Sequence, residues 1–150
     1  RSPSPEGLPP VITDTAELTP QQCLVALMIA VSASDENMRT SELVTIQRIV
    51  NHLPVFRDFD QESIGEISHL VFTLFEAEDG LDQLFALMRD RLPEKLNETA
   101  YALACDVAAA DGAIEGPEAR ILEEIRYELD IGRLHAAAIE RGTRARHMTV

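Results

Sequence analysis

The sequence has 150 residues, which is enough for one domain with a buried core. Hydrophobic residues make up 45% of the chain but aromatic residues only 5%, so Ala, Leu, Ile and Val must build the core, as suits closely packed helices. The formal net charge of −13 argues against nucleic acid or an anionic membrane as a partner, because both attract clustered cationic side chains.

The N-terminal segment, residues 1–18, is rich in proline. Its prolines are Pro3, Pro5, Pro9 and Pro10. Proline has no backbone N–H and disfavours helix in the residue before it, so the segment is predicted to be a linker or a loosely attached arm.

The first predicted helix follows this arm. Thr19 can cap it, Pro20 suits its first position, and Gln22 stands three residues after the cap. The helix is apolar nearly all round up to about Ser34, which predicts a central, buried position. Cys23 in this helix is predicted to be a reduced core residue. Cys105, in a second apolar stretch, is predicted to be the same, which favours a cytoplasmic protein.

The next three predicted helices carry apolar side chains at helical spacing. The first begins after Thr40 and is stopped by Pro54, the second is capped by Asp60, and the third ends before Pro93. Their predicted inward faces are Leu43, Ile46, Ile49 and Leu53; Ile64, Ile67, Leu70, Val71 and Leu74; and Leu81, Leu84, Phe85 and Met88.

Three further helices complete the prediction. The fifth spans about residues 94–110 and is ended by Gly112, Pro117 opens the sixth, and a short seventh lies near residues 134–139. The last ten residues, 141–150, contain arginines and no acid, and are predicted to be a basic flexible tail. Because no segment alternates as a strand does, residues 19–140 are predicted to form an all-α, compact bundle of about seven helices.

An internal repeat relates two segments of the chain. With a shift of 76 residues (111 − 35), residues 31–38 align with residues 107–114 without a gap. The matched positions include Asp35 with Asp111, the apolar Met38 with Ile114, and Glu42 with Glu118. Each unit is therefore predicted to be a buried helix, an acidic loop and an amphipathic helix, related to the other by a pseudo-two-fold axis.

The repeated motifs resemble those of the TerB-like family, which is named after bacterial tellurite resistance. Residues 108–114 with 117–120 are similar to the second motif of that family, and residues 32–35 with 40–42 to the first. The resemblance implies a compact helical domain, a link to tellurite and stress resistance, and a role in metal binding or as a scaffold. It carries over no catalytic residue.

The acidic loops offer oxygen ligands for a hard divalent cation, which is the one candidate cofactor. The candidate metal ligands are Asp35, Glu42, Asp111 and Glu118. An EF-hand is disfavoured, because Val107 and Ala109 occupy ligand positions of the second loop and offer no side-chain oxygen. The alternative is that Asp111 and Gly112 form an ordinary helix end and Glu118 stabilises a helix N-terminus.

No motif indicates an enzyme. The chain has no nucleophile elbow, phosphate loop or dinucleotide fingerprint, and its four histidines lack the HExxH spacing. We therefore expect a non-catalytic interaction or scaffold domain of a bacterial stress or tellurite-resistance response, with a protein partner and no membrane insertion. The alternative function is a divalent-cation-binding or metal-sensing protein that uses the acidic loops.

Overall fold

A computed structural model of the protein describes residues 18–34, 40–110, 112, 114 and 116–150. Within these ranges the chain forms α-helices and two short 3-10 turns, at Pro54–Phe56 and Glu94–Leu96, and no strand. The helices are α1 (Pro20–Ala33), α2 (Thr40–His52), α3 (Ser63–Phe75), α4 (Gly80–Arg91), α5 (Asn97–Ala108), α6 (Gly116–Glu128) and α7 (Arg133–Arg146). The prediction of an all-α bundle of about seven helices is confirmed. Most of the predicted arm, residues 1–17, lies outside the described residues.

Helix α1 is the centre of the bundle. Every residue from Cys23 to Ser32 is buried, and α1 contacts α2, α3, α4, α5 and α6. Its start forms the predicted capping box: the Thr19 hydroxyl accepts from the Gln22 amide at 3.1 Å, and the Gln22 side chain accepts from the Thr19 amide at 3.0 Å. A helix that is apolar on all sides must be covered on all sides, which explains its central place.

Helix α5 is the second buried helix and lies against α1, α2, α6 and α7. Its N-terminal end differs from the prediction, because Glu94–Leu96 forms a 3-10 turn before the α-helix begins at Asn97. Both cysteines, Cys23 in α1 and Cys105 in α5, are buried free thiols, as predicted. Burial raises the pKa of Cys23 to about 11 and that of Cys105 to about 12.

The inward face predicted for α2 is wrong in part. Leu43 is 44% exposed and Leu53, just beyond the helix, is 38% exposed, whereas Glu42, Ile46 and Val50 are buried. Residues 42, 46 and 50 form one row at i, i+4 and i+8, and Leu43 lies about 100° around the helix from Glu42. The prediction was drawn from the spacing of the apolar residues alone, and the burial of Glu42 turns Leu43 outward.

Helices α3 and α7 begin or end at residues other than those predicted. The Asp60 carboxylate accepts from the Glu62 amide at 3.0 Å and so caps a turn, and α3 itself begins at Ser63. Helix α7 is longer than residues 134–139 and continues through residues 141–146 of the predicted tail to Arg146. Two hydrogen bonds to α5, one at Glu140 and one at Arg146, hold the C-terminal half of α7 in place and account for the extension.

Candidate functional site

Two of the four predicted metal ligands lie in the described residues. Glu42 is 1% exposed and Glu118 is 7% exposed, and each stands in the first turn of its helix, α2 or α6. Asp35 and Asp111, and also the predicted apolar plug Met38, lie outside the described residues. A carboxylate at a helix N-terminus interacts favourably with the helix dipole, but this alone does not require burial. Few glutamates are so deeply buried in soluble proteins, which makes the matching positions 42 and 118 notable.

The described flanks of the two acidic loops lie on one cavity of about 320 Å³. Ala33 and Ser34, which end the first buried helix, share this cavity with Pro117 and Arg120 at the start of α6. Glu78, from the connection between α3 and α4, also lines it. The structure therefore brings the first unit and the second unit of the predicted repeat together at this cavity.

A metal centre cannot be assembled from the described residues alone. Within residues 18–34, 40–110 and 116–150, no group of three or more His, Cys, Asp or Glu side chains is arranged to hold a metal ion. Glu42 and Glu118 would therefore need a further ligand from the acidic loops, where Asp35 and Asp111 are the candidates.

A second and larger cavity, of about 760 Å³, lies between α5, α6 and α7. The Tyr101 hydroxyl in its wall donates to the Glu140 carboxylate at 2.6 Å, joining α5 to α7. Burial and, to a smaller degree, this hydrogen bond raise the pKa of Tyr101 well above its ordinary value. Sequence analysis missed this pair, because the two residues are 39 positions apart and belong to no motif.

The C-terminal end of α7 is held against α5 by a charged cluster. Arg146 donates to the Asp106 carboxylate at 2.7 Å and to the Thr143 hydroxyl at 3.3 Å, and His147 Nε2 lies 3.4 Å from the same carboxylate. The next residues, Met148 and Thr149, line the 760 Å³ cavity. The charged cluster therefore holds Met148 and Thr149 at the wall of that cavity.

These features define a class: an all-α domain in which two central helices are each covered by an amphipathic helix that buries a glutamate. Residues 21–141 match the sequence model of the family described as tellurite resistance protein TerB. The chain therefore belongs to the TerB family, as its motifs predicted, and is a tellurite-resistance-associated domain. No curated protein and no solved structure matches it. In the part of the chain that the structure describes, no helix is both long enough and apolar enough to span a membrane.

Proposed function

We propose that this protein is a non-catalytic interaction domain that binds a protein partner in the bacterial cytoplasm during tellurite resistance or a related stress response. Membership of the TerB family supports the link to tellurite. The observation that carries the interaction is the exposure of two large apolar side chains beside one connection. Tyr127 at the end of α6 is 82% exposed, and Leu134 at the start of α7 is 84% exposed.

The connection between Tyr127 and Leu134 is held rigidly. The amide of Ile131 donates to the Arg126 carbonyl at 3.0 Å, and that of Asp130 donates to the Tyr127 carbonyl at 3.1 Å. These two bonds close the end of α6 with Asp130 in a left-handed conformation, at φ 52°. Leu129 and Ile131 are buried beneath the connection and anchor it. Tyr127 and Leu134 thus stand on either side of a hydrogen-bonded connection, and an ordered backbone lowers the entropic cost of binding a partner there.

The chemistry of these side chains suits a protein interface. Tyrosine is enriched at the positions that dominate binding energy, because its ring buries a large area at a small cost in rotamer entropy. Burial of apolar area contributes about 25 cal/mol per Å² before the costs of association are subtracted. Tyr127 and Leu134 are therefore the residues we expect at the centre of the partner surface.

Site-specific cross-linking in living cells tests this proposal. A photo-crosslinking aromatic residue is placed at position 127 or 134 in the full chain, and at position 43 as a control, since Leu43 is also exposed but lies on α2. We expect positions 127 and 134 to give the same discrete cross-linked protein in tellurite-treated cells, and position 43 not to give it. Absence of that species, or the same set of products from position 43, would contradict the proposal.

A second candidate function, binding of a divalent cation, rests on the burial of Glu42 and Glu118 at matching positions. The proposed ligands are these two residues together with Asp35 and Asp111. Carboxylate oxygens are the ligands that calcium, magnesium and manganese prefer.

Thermal unfolding of chelator-treated protein, with and without calcium, magnesium, manganese or zinc, tests this second candidate. A cation at about 100 times its dissociation constant adds about 2.7 kcal/mol to the free energy of unfolding, or roughly 5–11 °C for a domain of this size. The rise should disappear in Asp35→Asn or Asp111→Asn and persist in Asp60→Asn, whose carboxylate caps a turn elsewhere. No rise with any of the four ions would reject the candidate.

A further inference from the structure

The 760 Å³ cavity between α5, α6 and α7 has the size of a small-molecule binding site. Its inner wall is made by the buried residues Tyr101, Cys105, Ala109 and Leu122. Small side chains leave this space open: Ala109 and Ala119 stand where longer aliphatic residues would fill it. The inner wall is therefore mainly apolar.

The polar groups of the inner wall already have hydrogen-bond partners within the protein. The Tyr101 hydroxyl donates to Glu140, and the buried Thr143 hydroxyl accepts from Arg146. The carboxylate of Glu140 would repel a second negative charge placed deep in the cavity. An anionic ligand would consequently place its charged group at the open side and its apolar part against the inner wall.

The open side carries two guanidinium groups on different helices. Arg126 of α6 and Arg144 of α7 both line the cavity and are exposed. Within the described chain, neither takes part in an ion pair, whereas Arg89, Arg91 and Arg146 each do. Two cationic groups from different helices that line one cavity suit a carboxylate, whose two oxygens can accept hydrogen bonds from both. Among the described residues that line the cavity, Glu123 and Glu140 are the ones that oppose this charge.

From these features we infer that the cavity binds a small amphipathic anion, a carboxylate with an aliphatic tail. The tail lies against Cys105, Ala109 and Leu122, and the carboxylate lies between Arg126 and Arg144. Met148 and Thr149, held over the cavity by the bonds from Arg146 and His147 to Asp106, complete its wall. Gly112 and Ile114 of the second acidic loop also line this cavity, whereas Tyr127 and Leu134 do not.

The test uses decanoate as the probe, below its micelle concentration, with decanol as the uncharged control of the same length. Binding to the full chain is measured by calorimetry and mapped by amide chemical shifts. We expect decanoate to shift the amides of Cys105, Ala109 and Leu122 and to bind more tightly than decanol. Arg126→Gln and Arg144→Gln should each weaken decanoate binding about three- to tenfold and leave decanol binding unchanged.

Three further variants sharpen the result. Arg133→Gln, a matched change at an exposed arginine of α7 that does not line the cavity, should leave the affinity unchanged. Glu123→Gln should strengthen decanoate binding, because it removes an opposing charge. Ala119→Leu should abolish binding of both probes by filling the cavity, with the amide spectrum showing that the fold is kept.

Several outcomes would overturn the inference. These are no decanoate binding up to its solubility limit, equal affinities for decanoate and decanol, or shifts centred on the 320 Å³ cavity. An Arg133→Gln effect as large as that of Arg126→Gln would also overturn the inference. It would show that decanoate is attracted by the surface charge in general and not by a specific site.

Discussion

Tyr101 and Glu140 connect α5 to α7 through one short hydrogen bond, and the Tyr101 side chain is buried. Tyr101→Phe removes only the hydroxyl and leaves the half-buried Glu140 carboxylate without this donor. We expect the free energy of unfolding to fall by about 1–2 kcal/mol, the range for a hydrogen bond to a partly exposed charged group. Urea unfolding measures the change.

The matched variant Glu140→Gln keeps a carbonyl oxygen as an acceptor for Tyr101, so it should cost less than Tyr101→Phe. The double variant should cost less than the sum of the two single changes, because Tyr101→Phe already removes the bond that Glu140→Gln only weakens. Additive losses would show that the hydrogen bond contributes nothing of its own.

The buried thiols make stability depend on alkaline pH. Burial raises the pKa of Cys23 from 9.0 to about 11 and that of Cys105 from 9.0 to about 12. Below pH 9 the folded and unfolded chains both hold these protons, and the stabilising contribution is fully present. Above pH 9 the unfolded chain releases them first, so the contribution is lost as pH rises towards 11–12.

Unfolding in urea with a reductant, at intervals between pH 8 and pH 10.5, checks this dependence. We expect the free energy of unfolding to be level up to about pH 9 and then to fall by about 1.4 kcal/mol per pH unit for each buried thiol. Cys105→Ala should reduce the slope above pH 9, and the free energy of unfolding of this variant should still be level below pH 9. An unchanged slope in that variant would contradict the assignment.

At the scale of the elements, the turn between α3 and α4 depends on a close approach at Gly80. A Cβ atom there would lie 1.8 Å from the Leu74 carbonyl oxygen and 2.6 Å from its carbon. These are backbone atoms, so the two helices would have to separate. Gly80→Ala is expected to lower the free energy of unfolding by about 1–3 kcal/mol.

Gly65 provides the control for this change. It lies in α3, and a Cβ atom there would meet nothing within 4 Å. Gly65→Ala should therefore raise the free energy of unfolding by about 0.5–1 kcal/mol through better helix propensity. Thermal or urea unfolding measures the free energy of unfolding of both variants. Changes of the same sign and size in the two would contradict the close approach at Gly80.

The elements also show what the sequence could predict. Helix α1 was predictable because its cap, its proline and its uninterrupted apolar run all indicate one buried helix. The buried face of α2 was not, because the periodic pattern cannot show that Glu42 enters the interior. The length of α7 depends on hydrogen bonds that join Glu140 and Arg146 to residues about 40 positions away in the sequence. The local composition of the α7 segment carries no signal of such distant contacts.

The same reasoning applies to the candidate sites. The repeated loop motif singled out Glu42 and Glu118 by position alone, and the structure adds that both are buried. The cavity between α5, α6 and α7 could not be predicted, since it depends on which small residues face one another after packing. Tyr127 and Leu134 were also missed, because an exposed apolar residue in an amphipathic helix looks like a core residue in the sequence.

At the scale of the whole molecule, the central claim is that this TerB-family domain acts through the surface at Tyr127 and Leu134. Survival of cells on tellurite is the most direct measurement, with each variant replacing the native chain at equal abundance. We predict that Tyr127→Ser with Leu134→Ser lowers survival to the level of cells lacking the protein. The matched pair Leu43→Ser with Val44→Ser, exposed on α2, should retain survival. Full survival with Tyr127 and Leu134 replaced, or equal loss in both pairs, would contradict the account.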